Sequence, residues 1–430
     1  MKEQQREVYI VDGSRSPQLK ARGRQGPFTA SEMAVQAARP LLARHDFDLG
    51  VLDEVILGCM MPGPDEANIG RVVALRLGVP QRVPAWTVQR NCASGMQSIE
   101  SAWRNIRHGH ADMVLAGGVE VMSRAPVLYN DAMVNWLGEL MQARSFGQRL
   151  RRFLKLRGRH LKPVISLLRG LTDPIVGLNM GQTAEVIAAR FNISREQMDA
   201  FAVASHQRLA RAFDAGELDE IEVLYDTKGK FYDHDDGLRR DSSLENLARL
   251  RPAFDKKYGS VTAGNSAQIT DGAAWVLLAS EQAVNEHRLP VIAKIVDTQW
   301  AGLDPAVMGM GPVHAMTPIL DRHELGIDDI DYWEINEAFA TQVLGCIAAW
   351  KDDDYCRTEL GRDGAVGVIP HERLNIDGGG VSLGHPVGAS GARIVLHLAK
   401  VLQRNSAARG MASLCIGGGQ GGAMLLELAG

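Results

Sequence analysis

The chain has 430 residues, 45% of them hydrophobic, and a formal net charge of -4. This length predicts two or three folding units, and the near-neutral charge argues against nucleic-acid binding, which favours a basic surface. The five cysteines are scattered without zinc-binding spacing and are too few for a disulfide scaffold, so we expect a reducing compartment. Neither a signal-peptide pattern nor a run of roughly 18 apolar residues is found, so we expect a cytoplasmic protein.

Short apolar strands alternate with helical patterns in the first part of the chain. The predicted strands are Val8–Val11, Glu54–Gly58, Trp86–Arg90 and Met113–Gly117. The predicted helices are Ser31–Ala43, Ala67–Leu77 and Ala93–His108. This alternation is typical of an α/β layered fold.

The pattern changes after about Met122, where helical periodicity and charge replace the strand signals. Strands return at Gly259–Thr262 and Ala274–Ala279, and a second α/β unit begins near Val291. We therefore predict an N-terminal α/β half formed by residues 1–121 and 251–285. An inserted loop or cap domain would occupy residues 122–250, and a C-terminal α/β half residues 286–430.

The two halves contain weakly similar segments, Val261–Ser280 and Ser413–Ala429. Each runs from a predicted strand end through a turn of small residues to Gly-Ala and a closing apolar strand. This similarity favours a duplication, although common α/β patterns could also produce it. Catalytic groups often gather where two such halves meet.

Cys92 is the first candidate for catalysis, in the segment VQRNCASGMQS. A predicted strand ends near Arg90 and a helix begins just after the cysteine, which places the thiol at the positive end of the helix dipole. Backbone N–H groups there would favour the nucleophilic thiolate, and Gly95 would leave room for a substrate. The alternative is a buried structural cysteine, the commoner role of this residue type.

His385 stands between Gly384 and Pro386 in the segment GGGVSLGHPVGASGARI. Flanking glycines let a ligand and the backbone approach closely, and a histidine held in such a bend can act as a general base. The alternative is a histidine that caps the turn before a helix predicted at Ala392–Val401.

Two further segments carry polar or nucleophilic groups at strand ends. In SLCIGGGQGGAM, Cys415 precedes a glycine loop, and the strand predicted at Ala423–Leu428 argues against a dinucleotide site. The loop instead favours free N–H groups beside a proton-exchanging thiol. In EINEAFA, Asn336 and Glu337 are predicted to open a helix after the strand Tyr332–Ile335, where Asn336 could hold a water or an oxyanion or act only as an N-cap.

Together, Cys92, the glycine-flanked His385, the NEAFA segment and Cys415 resemble the thiolase family across essentially the whole chain. The segments NMGQTAEVIAARFNISREQMDAFAVASHQ and VTAGNSAQITDGAA are similar to thiolase segments as well. The resemblance implies a thiolase fold, in which two similar layered α/β halves form an α-β-α-β-α sandwich with an inserted helical and loop cap domain. It also implies a homo-oligomer (dimer or tetramer), coenzyme A as a substrate, and no metal or permanently bound cofactor.

The resemblance assigns roles to the matching residues. Cys92 would be the nucleophile that takes the acyl group, His385 would receive its proton, and Cys415 would be the second acid and base. Asn336 would hold a water that, with His385, stabilises the enolate-like fragment. The backbone N–H groups of Cys92 and Gly417 would form a second oxyanion hole. An acyl-cysteine divides one difficult step into two easier ones.

The resemblance also implies a pantetheine tunnel lined by small and apolar residues: Met180, Ala263, Gly264, Ser266, Ala338 and Phe339. Two departures bear on short-chain specificity, since short-chain biosynthetic relatives often carry histidine where this chain has Asn179 and serine where it has Ala267. We therefore expect CoA-dependent cleavage of 3-oxoacyl-CoA to acetyl-CoA and a shortened acyl-CoA, as in fatty-acid β-oxidation. The alternative is a biosynthetic acetyl-CoA acetyltransferase that makes acetoacetyl-CoA by Claisen condensation.

Two more distant functions fit these residues less well. A decarboxylating 3-oxoacyl synthase would be expected to show a Cys-His-His set, and this chain has Cys415 where the second histidine would stand. A non-catalytic acyl-CoA-binding subunit would not require Cys92, His385 and Cys415 together.

Residues 144–170 form a basic stretch with nine lysines and arginines and no acid. Apolar positions predict a first helix that includes Leu150, Phe153, Leu154, Arg157 and Leu161. A second apolar stripe follows Pro163, at Val164, Ile165, Leu167, Leu168 and Leu171. The stretch either packs on its own domain with a solvated basic face or lies on an anionic membrane or a partner.

This insertion resembles the one in thiolase subunits of the β-oxidation trifunctional complex. The resemblance implies peripheral membrane contact and a hydratase/dehydrogenase subunit as a partner. That branch usually has histidine in place of Asn336, which is a departure here.

Overall fold

A ten-stranded sheet joins two similar halves of the protein in a computed structural model that describes residues 5–429. The strands in this range are β1 (Val8–Arg15), β2 (Leu19–Lys20), β3 (Glu54–Gly58), β4 (Ala85–Val88), β5 (Met113–Val121), β6 (Val127–Tyr129), β7 (Pro163–Ile165), β8 (Leu224–Tyr225), β9 (Phe231–Tyr232), β10 (Thr270–Ser280), β11 (Ala293–Gly302), β12 (Tyr332–Ile335), β13 (Arg409–Ile416) and β14 (Gln420–Leu428). The α-helices are α1 (Ala30–Ala43), α2 (Ile69–Leu77), α3 (Ser94–Arg107), α4 (Asp131–Met141), α5 (Phe146–Phe153), α6 (Ser166–Gly170), α7 (Met180–Arg190), α8 (Arg195–Asp214), α9 (Leu244–Ala248), α10 (Glu281–His287), α11 (Gly311–Arg322), α12 (Ala340–Lys351), α13 (Asp353–Glu359), α14 (Gly380–Leu383) and α15 (Val387–Asn405).

The strand order shows how the halves correspond. From one edge, the strands lie in the order β12-β13-β14-β11-β1-β10-β5-β3-β4, and β2 pairs with β10. On each side of the central β11–β1 contact, two antiparallel pairings are followed by a parallel one. Both β1 and β11 shift register within the same three residues, Ile-Val-Asp, at 10–12 and 295–297. The predicted α/β fold with two similar halves is therefore confirmed.

Helices α3 and α15 form the central layer and pack against each other and against strands of both halves. The close packing of α3 on α15 requires glycine at positions 95 and 391. A Cβ at Gly391 would lie 2.5 Å from the Met96 nitrogen, and a Cβ at Gly95 would lie 2.8 Å from the Ala392 nitrogen. Helix α15 is buried along most of its length, including its polar residues Ser390, Arg393 and His397, as expected for a helix between two sheets. Helices α1 and α2 cover the first half and α11 and α12 the second, which completes five layers.

Most predicted elements are present, with their ends shifted by a few residues. The strand predicted at Met113–Gly117 continues to Val121, and the helix predicted at Ala392–Val401 begins at Val387. The strand predicted at Gly259–Thr262 is wrong, because this segment is a loop. Its N–H groups at Ser260 and Val261 donate to the Glu185 carboxylate and not to a neighbouring strand.

The segment between β5 and β10 adds no strand to the main sheet and contains α4–α9 with two small hairpin-like sheets. The single helix predicted over 150–161 is wrong, since α5 ends at Phe153 and a short 3₁₀ helix follows at Gly158–Leu161. The second predicted stripe is also divided, because Pro163–Ile165 pairs with β6 and only Ser166–Gly170 is helical. None of the helices between residues 5 and 429 is long and apolar enough to cross a membrane.

Candidate active site

Both central helices begin beside one cavity of about 680 Å³, whose lining includes three of the predicted catalytic residues. Cys92 lies in the turn before α3, and His385 lies in the turn before α15. Cys415 reaches the same cavity from the end of β13. The first half therefore supplies one thiol, and the second half supplies the imidazole and the other thiol.

The turn that carries Cys92 is held by its own side chains and by the glycine loop of the second half. Asn91 has a φ of 45°, and its Nδ2 donates to the Gly417 carbonyl at 2.7 Å. The Ser94 hydroxyl accepts from the Arg90 N–H at 2.9 Å and donates to the Asn91 carbonyl at 2.7 Å. These bonds fix the thiol against the β13–β14 turn.

The Cys92 thiol is partly accessible from the cavity but otherwise enclosed by protein. Burial raises the pKa of Cys92 to about 11, although the backbone N–H groups of Gly417 and of Cys92 itself oppose the rise. The N–H groups act in the predicted direction, towards the thiolate, but desolvation outweighs them. Cys92 is a neutral thiol at pH 7 and requires a base to become nucleophilic.

His385 is buried, and hydrogen bonds orient its ring. The Ser390 hydroxyl donates to the Pro386 carbonyl at 3.1 Å and lies 2.6 Å from His385 Nδ1. With the hydroxyl hydrogen donated to the carbonyl, the ring proton is assigned to Nδ1, which donates to Ser390 Oγ, and the lone pair to Nε2. Burial, and then the charge of Arg393, lower the pKa of His385 to about 4. The neutral ring therefore presents a basic Nε2 that has no partner within the described chain.

Asn336 lies between β12 and α12 and is fully buried. The helix begins only at Ala340, with Phe339 as its N-cap, so the prediction that Asn336 opens or caps a helix is wrong. Both polar atoms of its side chain lack a partner in the described structure, which typically costs about 1–3 kcal/mol for each unsatisfied group. A Cβ at Gly380 would lie 3.4 Å from Asn336 Oδ1, so the amide sits beside the segment that leads to His385.

The β13–β14 turn brings Cys415 and a backbone donor to Cys92. Burial, and then the neighbouring Cys92, raise the pKa of Cys415 well above its usual range, so this thiol keeps its proton. The N–H of Gly417 is directed at the Cys92 thiol and lowers its pKa. Glycine is required in the turn, since Gly419 has a φ of 74° and a Cβ there would lie 2.2 Å from the Leu303 carbonyl oxygen.

Two buried carboxylates that sequence analysis missed fix the loops around the site. Glu120 accepts from the N–H groups of Met60, Met61 and Gly388. Glu337 accepts from Ser205 Oγ, Asn375 Nδ2 and the Val381 N–H. Burial raises the pKa of Glu337, and raises that of Glu120 to about 7. A single acid inside the apolar run MVLAGGVEV was the available signal for Glu120.

The predicted pantetheine residues lie together along the same cavity: Met180, Ala263, Gly264, Ser266, Ala338 and Phe339. Phe254 extends this wall, with its ring 5.8 Å from that of Phe339. Gly181 is needed there, because a Cβ would lie 2.1 Å from the Phe254 ring. The arrangement is a narrow, mainly apolar passage that leads to the two thiols.

Comparison with known proteins agrees with this geometry. The thiolase N-terminal domain matches residues 8–282, and the thiolase C-terminal domain matches residues 289–428. The chain belongs to the thiolase family and is an acyltransferase with thiolase activity.

Three similar proteins carry different names within this family. A β-ketoadipyl-CoA thiolase of Pseudomonas aeruginosa is 38% identical over 98% of this chain and 99% of its own length. An acetyl-CoA acetyltransferase of the same organism is 37% identical over 98% of this chain and 99% of its own length. The solved structure of human mitochondrial 3-ketoacyl-CoA thiolase in complex with CoA has a TM-score of 0.83, with 34% identity over 99% of this chain and 98% of that one. The relatives therefore include proteins named as thiolases and a protein named as an acetyl-CoA acetyltransferase.

Proposed function

We propose that this protein is a degradative 3-oxoacyl-CoA thiolase, which cleaves its substrate with free CoA to acetyl-CoA and a shortened acyl-CoA. The observation that carries the proposal is the meeting of two neutral thiols and one unpartnered imidazole nitrogen in a single cavity. One thiol can then attack, the imidazole can take its proton, and the other thiol can return a proton to carbon.

In the first half-reaction, His385 Nε2 takes the proton of Cys92, and the sulfur attacks C3 of the 3-oxoacyl-CoA. The negative charge that forms on the C3 oxygen is stabilised by the N–H groups of Cys92 and Gly417. The C2–C3 bond then breaks and leaves the shortened acyl group on Cys92. The electron pair of that bond remains on C2 as the enolate of acetyl-CoA.

The enolate needs both stabilisation and a proton. Protonated His385 and a water held by Asn336 stabilise its oxygen, and Cys415 donates a proton to C2, so acetyl-CoA leaves. Deprotonated Cys415 then takes the thiol proton of free CoA, whose sulfur attacks the acyl-cysteine. The bond between the acyl carbon and the Cys92 sulfur breaks, the shortened acyl-CoA leaves, and protonated His385 returns its proton to Cys92. Since Asn336 has two unpartnered buried polar atoms, this role gives them a hydrogen-bond partner.

CoA is a substrate, and no permanently bound cofactor is required for these steps. We propose that Met180, Ala263, Gly264, Ser266, Ala338 and Phe339 hold its pantetheine arm, a role supported by their shared position along the cavity. None of these six residues is charged, so this part of the wall can guide the thioester to Cys92.

The test is a series of thiolysis rates with 3-oxoacyl-CoA substrates of four to sixteen carbons. We expect rates that hold or rise beyond four carbons, because Leu168, Leu171, Met122 and Met308 give the cavity further apolar lining. Activity confined to acetoacetyl-CoA would favour the biosynthetic acetyltransferase. No turnover of any of these substrates would favour the non-catalytic acyl-CoA-binding function, and turnover retained in Cys92→Ala would overturn the role of Cys92 as the nucleophile.

The basic stretch supports a second proposal, that residues 144–170 contact an anionic membrane or a hydratase/dehydrogenase subunit. Phe146 is 82% exposed and Leu154 67% exposed, beside arginines without acidic neighbours in sequence. Such a surface combines apolar area with positive charge. Two experiments distinguish membrane contact from subunit contact. Flotation with vesicles of phosphatidylserine and phosphatidylcholine tests the membrane, and pull-down by a purified hydratase/dehydrogenase tests the subunit.

We also propose that the protein is a cytoplasmic homo-oligomer whose residues 122–250 act as a cap domain between the parts of the N-terminal half. Support for assembly comes from β4, which ends the sheet and offers its outer edge to a second copy. All five cysteines are free, which fits a reducing compartment. Light scattering tests the dimer or tetramer, and a monomer at micromolar concentration would contradict it.

A further inference from the structure

The turn between β13 and β14 is a run of glycines that depends on outside contacts for its position. Residues 417–419 are all glycine, and glycine leaves the backbone freer than any other residue. In the described part of the chain, two hydrogen bonds reach the carbonyls of this turn from outside the hairpin. The Leu303 N–H donates to the Gly419 carbonyl at 2.8 Å, and Asn91 Nδ2 donates to the Gly417 carbonyl at 2.7 Å. The Gly417 end of the turn is therefore held by Asn91.

The geometry of Asn91 suits this contact. Its φ of 45° lies in the left-handed region, which asparagine tolerates better than most residues with a side chain. Its carbonyl accepts from Ser94 Oγ at 2.7 Å, and its Oδ1 accepts from Gln89 Nε2 at 3.4 Å. Because the Gly417 carbonyl can only accept, Nδ2 is the amide atom that faces it. The Asn91 side chain does not line the cavity, so it contacts the glycine turn and not the substrate.

Gly417 directs its own N–H at the reacting sulfur. This N–H points at the thiol of Cys92, the residue that follows Asn91 in the chain. The glycine turn is therefore tied at its carbonyl and aimed at its N–H by two consecutive residues of the turn before α3. An oxyanion donor must lie about 2.7–3.1 Å from the oxygen that becomes charged, and a displacement of about 1 Å can cost up to about 100-fold in rate.

We propose that Asn91 is a positioning residue, which holds the Gly417 N–H on the acyl oxygen at Cys92 during both half-reactions. This role rests on the acyl-cysteine mechanism proposed above and adds a residue to it. The tetrahedral intermediate at the acyl carbon forms once when Cys92 attacks and again when CoA attacks, and the same oxygen carries the charge each time. Loss of the Asn91 amide should therefore slow both steps. The enolate has donors of its own, His385 and the water on Asn336.

The first measurement compares the kinetics of Asn91→Gly and Asn192→Gly. Glycine suits the left-handed backbone at both positions, where φ is 45° and 50°. Asn192 is exposed and does not line the cavity, so it is a matched control. With 3-oxohexanoyl-CoA, Asn91→Gly should reduce kcat by about tenfold, the factor that one net hydrogen bond supplies, with KM little changed. Asn192→Gly should match the wild-type enzyme.

The second measurement reports on the Gly417 donor itself. In the absence of free CoA, 3-oxohexanoyl-CoA labelled with ¹³C at C3 leaves a labelled carbonyl on Cys92. Because hydrogen bonds weaken a carbonyl bond, difference infrared spectra should place its stretch at a higher wavenumber in Asn91→Gly than in the wild-type enzyme. A purely structural role of Asn91 would lower stability and leave the stretch of the folded acyl-enzyme unchanged.

Each outcome decides the proposal. A shift of the carbonyl stretch together with the loss of kcat supports it, and an unchanged stretch, or a kcat equal to that of Asn192→Gly, overturns it. Should Asn91→Gly not fold, Asn91→Asp gives the same comparison, because a carboxylate keeps the size of the side chain and has no hydrogen to donate. A wild-type stretch and rate in Asn91→Asp would then overturn the role. If the wild-type enzyme forms no butanoyl group on Cys92, the acyl-cysteine mechanism fails first, and the role of Asn91 fails with it.

Discussion

The N-termini of the two central helices occupy corresponding places in the two halves, yet they hold different chemistry. Burial raises the pKa of Cys92 to about 11 before α3 and lowers that of His385 to about 4 before α15. Both shifts disfavour charge, so the resting site holds a neutral thiol beside a neutral base. The Cys92 thiol and the His385 imidazole are therefore both uncharged before substrate binds. Proton transfer from Cys92 to His385 accompanies attack on the substrate.

The largest effect is expected from removing the nucleophile. Cys92→Ser should reduce kcat for thiolysis by at least about 10⁴-fold, as loss of a nucleophile does in comparable enzymes. The matched control is Cys356→Ala, because Cys356 is buried away from the cavity and its thiol contacts helix carbonyls. Steady-state rates with 3-oxohexanoyl-CoA measure both variants, and equal losses would show that the cavity thiol has no special role.

Removing the base should have the next largest effect. His385→Gln is expected to reduce kcat/KM by about 10³-fold, within the range for a general base. In the wild-type enzyme His385 is already neutral above a pKa of about 4, so kcat/KM should stay level from about pH 5 to 9. A pH–rate profile that instead falls on the acid side near pH 6.5 would contradict the buried, neutral imidazole.

Asn336 should matter less, because it acts through a held water. Asn336→Ala should reduce kcat by about 10²-fold with a smaller change in KM, as expected for one lost oxyanion donor. The variant should unfold no more easily than the wild-type protein, since it removes two unpartnered buried polar atoms. A large loss of thermal stability with unchanged kcat would assign Asn336 a structural role.

The smallest effect on rate is expected at His397, which lies farther along α15. Neighbouring carboxylates, and not burial, set the charge of this histidine. His397 Nδ1 lies 3.0 Å from Glu220, and Nε2 lies 3.2 Å from Asp377. Although burial alone would lower it, these carboxylates raise the pKa of His397 to about 10. The stability that this charge contributes is complete below the unfolded pKa of about 6.5 and is lost as pH rises towards 10.

His397→Gln should therefore lower the free energy of unfolding by about 3 kcal/mol at pH 7, the lower end of the range for a broken buried ion pair, because Glu220 and Asp377 lose one cation and keep their arginine partners. The difference from the wild-type protein should shrink at pH 10. Urea unfolding at both pH values measures it, with the exposed His234→Gln as control. A difference that grew with pH would contradict the assigned charge.

The sequence predicted those parts of the fold and site that depend on local pattern. Buried strands such as Glu54–Gly58 are short apolar runs, and the placement of Cys92 and His385 before helices follows from the residues beside them. The strand predicted at Gly259–Thr262 failed because Glu185, distant in sequence, supplies the hydrogen-bond acceptors. The prediction of a single helix over residues 150–161 failed because the apolar periodicity of the sequence continues past Phe153, where the helix itself ends.

Properties of the site that depend on three-dimensional environment could not be predicted. The thiol pKa of Cys92 follows from desolvation by both halves, which a local helix-dipole argument does not include. Glu120 fixes the site through contacts with segments far from it in the chain, such as the Met60 and Gly388 N–H groups. Charge and burial across the interface of the two halves therefore had to be taken from the structure.

The central claim is that Cys92 carries the acyl group between the two half-reactions. The most direct measurement is mass spectrometry of the peptide containing Cys92 after the enzyme is mixed with 3-oxohexanoyl-CoA and quenched in acid, without free CoA. We predict a butanoyl group on Cys92, release of one equivalent of acetyl-CoA, and loss of the adduct when CoA is added. A butanoyl group on another residue, or turnover without any acyl-enzyme, would contradict the account.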